Sequence, residues 1–369
     1  MTKTQIIRKV GFAAFITATA LYAGSGFAQS LQGDASAAES IAATSSDLTA
    51  QAALPQAAVP TLTWTSPAQY DTGIQSTIAI RNGLVVEAHK TESTLHNGLY
   101  YHIGKLDPVS NTVTWGPSHS FVSSGDWPSV ALSKEGYVIF TWSTGFYNCC
   151  SDLAYRVGTV KLDGDVNQTI DFKTGKVTVY DSGYHNSISI NRQGVIAEAH
   201  EGGKAMFYRL GHLKNPAAND FSITWDTGTN GIKYDAGVDP QISINDNYQV
   251  VEVHGARGES LLHYNRGSAL SNLIDFSTEH PRYDNKAVSP GVVLLNDGSI
   301  VEVHQSGNSA HYRTGELAGN PAYVTWSAGA FIGPVVRIGL NPSVASDGND
   351  VIATFTNYDK LNYAISKLP

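Results

Sequence analysis

A short phrase recurs along this chain at nearly constant intervals, and it limits the available folds more than any other feature. Asn82-Gly83-Leu84-Val85-Val86-Glu87-Ala88-His89 has counterparts in Gln193-Gly194-Val195-Ile196-Ala197-Glu198-Ala199-His200 and Asp297-Gly298-Ser299-Ile300-Val301-Glu302-Val303-His304. Val250-Val251-Glu252-Val253-His254 is a fourth copy, while Gly136 to Trp142 and Val351 to Phe355 keep the frame in degenerate form. With His89 and its equivalents as the marker, successive copies lie 53, 58, 54, 50 and 51 residues apart. A period of ~50 residues means one supersecondary unit repeated, each unit burying its faces against its neighbours.

The unit reads as four antiparallel strands. Pro128 to Leu132, Ser187 to Ile190 and Pro342 to Ala345 represent the first. A turn such as Asn82-Gly83 or Asp297-Gly298, suited to positive φ, leads into the Glu-x-His strand. Leu153 to Arg156, Phe207 to Arg209 and His311 to Arg313 form the third strand; Val113 to Trp115, Ile223 to Trp225 and Val324 to Trp326 form the fourth. The sixth copy stops after its third strand, 361–368, and the absent Thr-Trp strand stands at the other end as Leu62-Thr63-Trp64. The expected fold is therefore all-β: a six-bladed β-propeller over 61–369, its ring closed by residues 61–65 completing the last blade. Length alone suggests two domains of ~150 residues, but the period overrides that prior.

On these repeats the chain resembles bacterial secreted six-bladed β-propellers, a broad group that includes lectins, sialidase-like enzymes and polysaccharide lyases. The resemblance is architectural, and fold alone does not assign function.

Ahead of the repeats, Lys3, Arg8 and Lys9 precede an apolar run from Val10 to Ala23, and Gly26-Phe27-Ala28 offers a small-x-small cleavage site. This pattern predicts a signal peptide over 1–28 and a mature chain from Gln29. The run is shorter than the ~20 residues of a spanning helix, so no transmembrane segment is expected in the mature chain. Residues 29–60 are rich in Ala and Ser without an aromatic, which predicts a flexible linker. An exported location follows, periplasmic or extracellular. Losing three cations with the leader takes the formal charge from −8 to −11. That balance excludes a nucleic-acid partner, which needs a basic face.

Glu and His two apart on a strand share one face. The pairs Glu87/His89, Glu198/His200, Glu252/His254 and Glu302/His304 admit a structural reading, in which they satisfy Tyr and Arg groups between blades. They also admit a ligand-binding reading, with Tyr70-Asp71, Tyr180-Asp181 and Tyr234-Asp235 brought to the same rim. The sixth copy replaces the Glu, His and Arg positions together, by Ala353, Phe355 and Ala364, which favours the structural reading; the first copy carries His102 where Arg is expected. Each copy supplies too few ligands for a ring of metal sites, and neither a metal nor a cofactor is expected.

The second copy departs most from the pattern. Trp142 replaces the His, Trp127 sits in the preceding connection, and the following loop holds Phe146, Tyr147, Cys149 and Cys150 ahead of Arg156. Adjacent cysteines in an oxidising compartment tend to pair. These seven residues form the candidate ligand platform. The resulting expectation is a secreted recognition propeller, carbohydrate-binding and lectin-like, with a glycan or cell-surface polysaccharide as partner. One alternative is a glycan-active enzyme; a lyase would draw on His89, His96, His102, Tyr101 and Arg156. Sialidase boxes are not evident, since Ser110 to Trp115 lacks the Asp and Gly spacing and Arg337-Ile338-Gly339 is a weak echo of an arginine motif. The other alternative is a protein-interaction scaffold of the cell envelope.

Overall fold

Strand two of each unit is apolar on both sides of its alternation, which demands burial on both faces. In the computed structural model, Leu84–Lys90 is buried along its whole length. The structure describes residues 61–91, 98–145, 151–172, 176–214, 220–318, 323–332 and 340–369. The compact unit Gln56–Pro369 contains six antiparallel sheets and, among the described residues, no helix.

Each sheet is one blade of a six-bladed β-propeller. The inner strands are Ile74–Arg81, Asp126–Leu132, Tyr184–Ile190, Val238–Ile244, Ala287–Leu294 and Leu340–Asp347. Each touches the next, and the sixth touches the first, so the ring is closed. The core is correspondingly six clusters rather than one, each shared by two neighbouring blades. One holds Val86, Ala88, Phe121 and Phe140 between blades one and two. Another holds Ile78, Val85, Ile352 and Tyr363 between blades six and one. Every fully buried aliphatic side chain contributes roughly 1.5–3 kcal/mol.

The fourth strand is made of two pieces that both run beside strand three. In blade three these are Ile223–Trp225 and Ile232–Asp235. In blade six they come from the N-terminal end. Thr65 donates its backbone N–H to the Ile365 carbonyl at 2.8 Å, and Ala68–Thr72 then pairs with Lys360–Lys367. The closure read from Leu62-Thr63-Trp64 is thus extended: the laddered part is the segment 68–72.

A tyrosine on each strand three ties every blade to the next. Its hydroxyl accepts the backbone N–H at the start of the following blade's fourth strand. The pairs are Tyr101 with Ile170 (2.9 Å), Tyr155 with Ile223 (3.0 Å) and Tyr208 with Ile274 (3.1 Å). Tyr264 with Val324 (3.4 Å), Tyr312 with Leu62 (3.1 Å) and Tyr363 with Val113 (3.2 Å) complete the circle. Tyr312 also donates to the Leu62 carbonyl at 2.8 Å, so the closing segment is held by the same device as every other blade. Nearer the axis, the Ser129, Ser187 and Ser243 hydroxyls accept N–H groups of the next inner strand at 2.9–3.1 Å.

Candidate ligand site at the axial mouth

The repeated polar residues lie between blades. Glu87, Glu198, Glu252 and Glu302 are 0% exposed and their histidines 1–2%. Each His Nδ1 lies 2.9–3.1 Å from its Glu carboxylate. Tyr180 and Tyr283, arriving from the preceding blade, donate to Glu198 and Glu302 at 2.8 and 3.0 Å. Burial first, and the adjacent Glu87 and Glu252 charges next, push the Tyr70 and Tyr234 hydroxyls well above their ordinary range. Beyond each imidazole, Asp71, Asp181, Asp235 or Asp284 lies 3.7–3.9 Å from Nε2. Those carboxylates are gripped from strand three by His102, Arg209, Asn265 and Arg313 respectively. Burial alone would lower the pKa of His200, His254 and His304; the adjoining Glu charge and hydrogen bond outweigh it and raise them.

Two interfaces replace the buried Glu and His: that of blades five and six replaces the arginine position too, with Ala364, while that of blades one and two keeps Arg156. Phe140 stacks on Phe121 at 4.3 Å with Trp142 edge-on at 5.8 Å. Ala353 and Phe355 belong to an apolar cluster with Ala330 and Ile332. Trading the Glu and His together for packed apolar groups leaves neither as an unpaired buried charge. Of the two readings of Tyr, Asp and His, this burial favours the structural network: the groups meet between neighbouring strands, with the Glu and His side chains out of solvent.

The surface they do not reach is organised differently. Each inner strand carries a β-bulge two residues into its run, where its pairing to strand two shifts. At that point all six blades place a non-glycine residue in the left-handed region: Gln75, Trp127, His185, Asp239, Ser289 and Asn341, with φ between 47° and 57°. Such a conformation costs of the order of 1–3 kcal/mol and re-aims the side chain. All six line one end of the axial channel, around a cavity of about 60 Å³. The scaffold is six-fold repeated here, and the side chains are all different.

Two charged groups flank this mouth. On one side Lys90 Nζ lies 3.0 Å from Asp126 Oδ1. On the other, His185 Nδ1 lies 2.6 Å from Glu201 Oε1 and 2.8 Å from Asp239 Oδ1. Burial would lower the His185 pKa, but the hydrogen bonds to Asp239 and Glu201 prevail and raise it to about 9. Arg257 lies 3.2 Å from the second Glu201 oxygen, which balances the charge of this cluster. Trp127 sits edge-on to His185 at 4.0 Å between ring centres. Asp126 Oδ2, Asn186 Oδ1 and His185 Nε2 are buried without a hydrogen-bond partner among the described residues. Buried polar atoms of this kind call for an external partner. Among the described residues, two clusters have metal-ligating composition: His185, Glu201 and Asp239 here, and Asp71, His89 and His102 at the ring closure.

The opposite end of the channel encloses more space, about 370 Å³. Much of its polar lining is paired from blade to blade, although Arg81 Nε is buried there without a partner among the described residues. Asp246 accepts the Arg192 N–H at 2.7 Å, Asn296 donates to Asp246 at 2.6 Å, and Asp347 accepts the Gly83 N–H at 2.8 Å. The narrow end, with its unpaired donors and acceptors, is the better ligand site.

Of the described residues expected to form a platform, Trp127 alone reaches this mouth. Trp142 is 1% exposed, its ring lying so close to Gly125 that a Cβ there would stand 2.7 Å from Cδ1. It fills core volume vacated by the missing Glu and His. Arg156 lies over the Phe172 ring at 3.9 Å and donates to the Phe121 carbonyl at 2.7 Å. Phe146, Tyr147, Cys149, Cys150, His96 and Arg337 fall outside the described residues. The bulge residues apart from Trp127, together with Glu201 and Arg257, were not visible as a set. Their only linear signal is a shared spacing, with Pro128, Pro240, Pro290 and Pro342 following four of them.

No protein-family model matches the chain, and no curated protein does. Solved structures do. A Hadza microbial sialidase superposes with a TM-score of 0.54 at 9% identity, over 80% of this chain and 66% of the sialidase, just under two thirds of its length. An α-L-arabinofuranosidase from Fusarium graminearum, solved with an iminosugar inhibitor, gives 0.53 at 11% identity, over 82% and 98%. An α-L-arabinanase from Penicillium chrysogenum, solved with arabinobiose, gives 0.52 at 12% identity, over 84% and 99%. The likeness is one of fold. These propellers carry glycan-directed names, and at such identities none of their site residues transfers to this chain.

Proposed function

We propose that this protein is an exported recognition propeller that binds a saccharide across the axial mouth. One observation carries the reading: a six-fold repeated left-handed bulge presents six different side chains, beside buried polar atoms that lack partners. Trp127 offers an aromatic face to sugar C–H groups, while Gln75, Ser289, Asn341 and Asp239 offer short donors and acceptors to hydroxyls. The cavity of about 60 Å³ holds only a few waters' volume, so the ligand covers the mouth rather than entering the channel. The glycan-directed names of the structural neighbours support the ligand class. The leader over 1–28 and linker over 29–60 support export, which N-terminal sequencing of the secreted chain, expected to begin at Gln29, would test.

A glycan array finds the saccharide, and titration calorimetry measures it against variants. Trp127→Ala and Asn341→Ala are each expected to weaken binding at least ~10-fold, the loss of about 1.4 kcal/mol. Unchanged affinity in both would remove the mouth as the site. A second reading, glycan hydrolysis, is favoured by the two carboxylates on His185. Appearance of new reducing ends on prolonged incubation, lost in Glu201→Gln, would establish it.

A further inference from the structure

The seam at which the N-terminal strand closes the ring differs from the other charged seams. Where blades three and five place Arg209 and Arg313 against the aspartate, blade one places His102. Asp71 enters from the closing strand Ala68–Thr72, His89 and His102 from Leu84–Lys90 and Leu99–Asp107 of blade one. Each imidazole is oriented through its far nitrogen. His89 Nδ1 lies 3.0 Å from Glu87 Oε2, and His102 Nδ1 lies 2.9 Å from the Gly116 carbonyl oxygen. Each Nδ1–H therefore has an acceptor, and each Nε2 is directed the other way. Both Nε2 atoms face one oxygen, Asp71 Oδ2, at 3.8 and 2.6 Å. The two rings lie nearly parallel, 5.6 Å between centres. Imidazoles held this way, with the remote N–H on a carboxylate or backbone carbonyl, are those that ligate metals. Both histidines are buried while the Asp71 side chain is 28% exposed, which leaves one side open to solvent.

We propose that Asp71, His89 and His102 bind a divalent transition metal at the ring closure, with zinc the best match to two imidazoles and a carboxylate and water completing the shell. On binding, the metal takes the place of the proton shared by His102 Nε2 and Asp71, and that proton leaves to solvent. In blades three and five a guanidinium already supplies the positive charge, and in blade four Asn265 offers no nitrogen lone pair. The fourth seam also turns two imidazole nitrogens towards its aspartate, His254 Nε2 at 3.7 Å and His280 Nδ1 at 2.8 Å from Asp235 Oδ2, but His280 Nδ1 is held by Asn265 Oδ1 as well. Among the described residues, the first is the charged seam whose two imidazoles and carboxylate bring ligand atoms within 4.8 Å of one another. Because Asp71 belongs to the closing strand, the metal would clamp the N-terminal segment to blade one and stabilise the ring by mass action.

The test uses the full chain with Cys149→Ser and Cys150→Ser, so that no thiol competes, stripped with EDTA and titrated with zinc or cobalt(II) chloride. The expected results are one metal per chain, proton release in buffer-dependent calorimetry, cobalt absorption bands of nitrogen–oxygen ligation, and a midpoint of unfolding that rises with metal. His102→Arg rebuilds the seam of blades three and five. It should fold, bind no metal and lose the metal-dependent rise. Glu87→Gln should weaken affinity ~10–100-fold by releasing His89 Nδ1. If His102→Arg does not fold, His102→Gln provides the same contrast. A chain that takes up no stoichiometric metal, or a His102 variant that binds it like the parent, would overturn the proposal.

Discussion

A tryptophan in the left-handed region is an expensive way to begin a strand, and Trp127 is one of six residues held so at equivalent positions. The blades over-determine that conformation, and what the strain achieves is the direction of the side chain. This separates the two tryptophans that looked alike in the sequence. Trp142→Ala should lower unfolding free energy by ~3–5 kcal/mol in denaturant titrations, since it empties a packed core. Trp127→Ala should cost less than ~1 kcal/mol, because its ring faces the mouth and the bulge persists without it. Equal costs would mean that Trp127 is a core residue as well. Trp142 was readable as a departure from the repeat, but not as a core one. A repeat breaks in the same linear way whether the new aromatic meets a ligand or fills volume.

At the level of strands and seams, the fold was legible because its signals are local. The Asn-Gly and Asp-Gly turns, the doubly buried strand two and the Thr-Trp segment recur in register, and their count gives the blades. The split fourth strand was not legible, because Tyr70-Asp71 and its equivalents read as connections when they lie along strand three. The mouth was hidden for the opposite reason: similarity vanishes where six side chains differ. The seams behave as units. Glu198→Ala alone leaves His200 without its charged partner and should cost ~3–5 kcal/mol. Exchanging Glu198, His200 and Arg209 together for Ala, Phe and Ala, as blade six does, should cost less than the sum of the single changes, measured as a coupling energy across the set. Tyr312→Phe should cost ~1–3 kcal/mol by leaving the Leu62 N–H buried and unpaired. Tyr155→Phe, which does the same at Ile223, should cost a similar amount. A negligible effect at Tyr312 would show that the closing segment is held by other contacts.

Across the whole molecule, the histidines set how stability responds to pH. His185 has a folded pKa of about 9, above its unfolded value of ~6.5. Its contribution is complete below that unfolded value and is lost as pH rises through about 9. His200, His254 and His304 are raised too and act in the same sense. The denaturation midpoint should therefore fall between about pH 6.5 and pH 9.5, and His185→Gln should flatten the decline. A midpoint that rises over this range would contradict the ion pairs described here. The central claim is that a uniform scaffold carries one individual surface, the axial mouth. Hydrogen exchange, with and without the tightest-binding saccharide from the array, tests it directly. The account predicts ligand protection at the amides of Gln75, Trp127, His185, Asp239, Ser289 and Asn341, and none at the turns 81–83, 192–194 and 246–248. Protection at those turns with the mouth unchanged would contradict it.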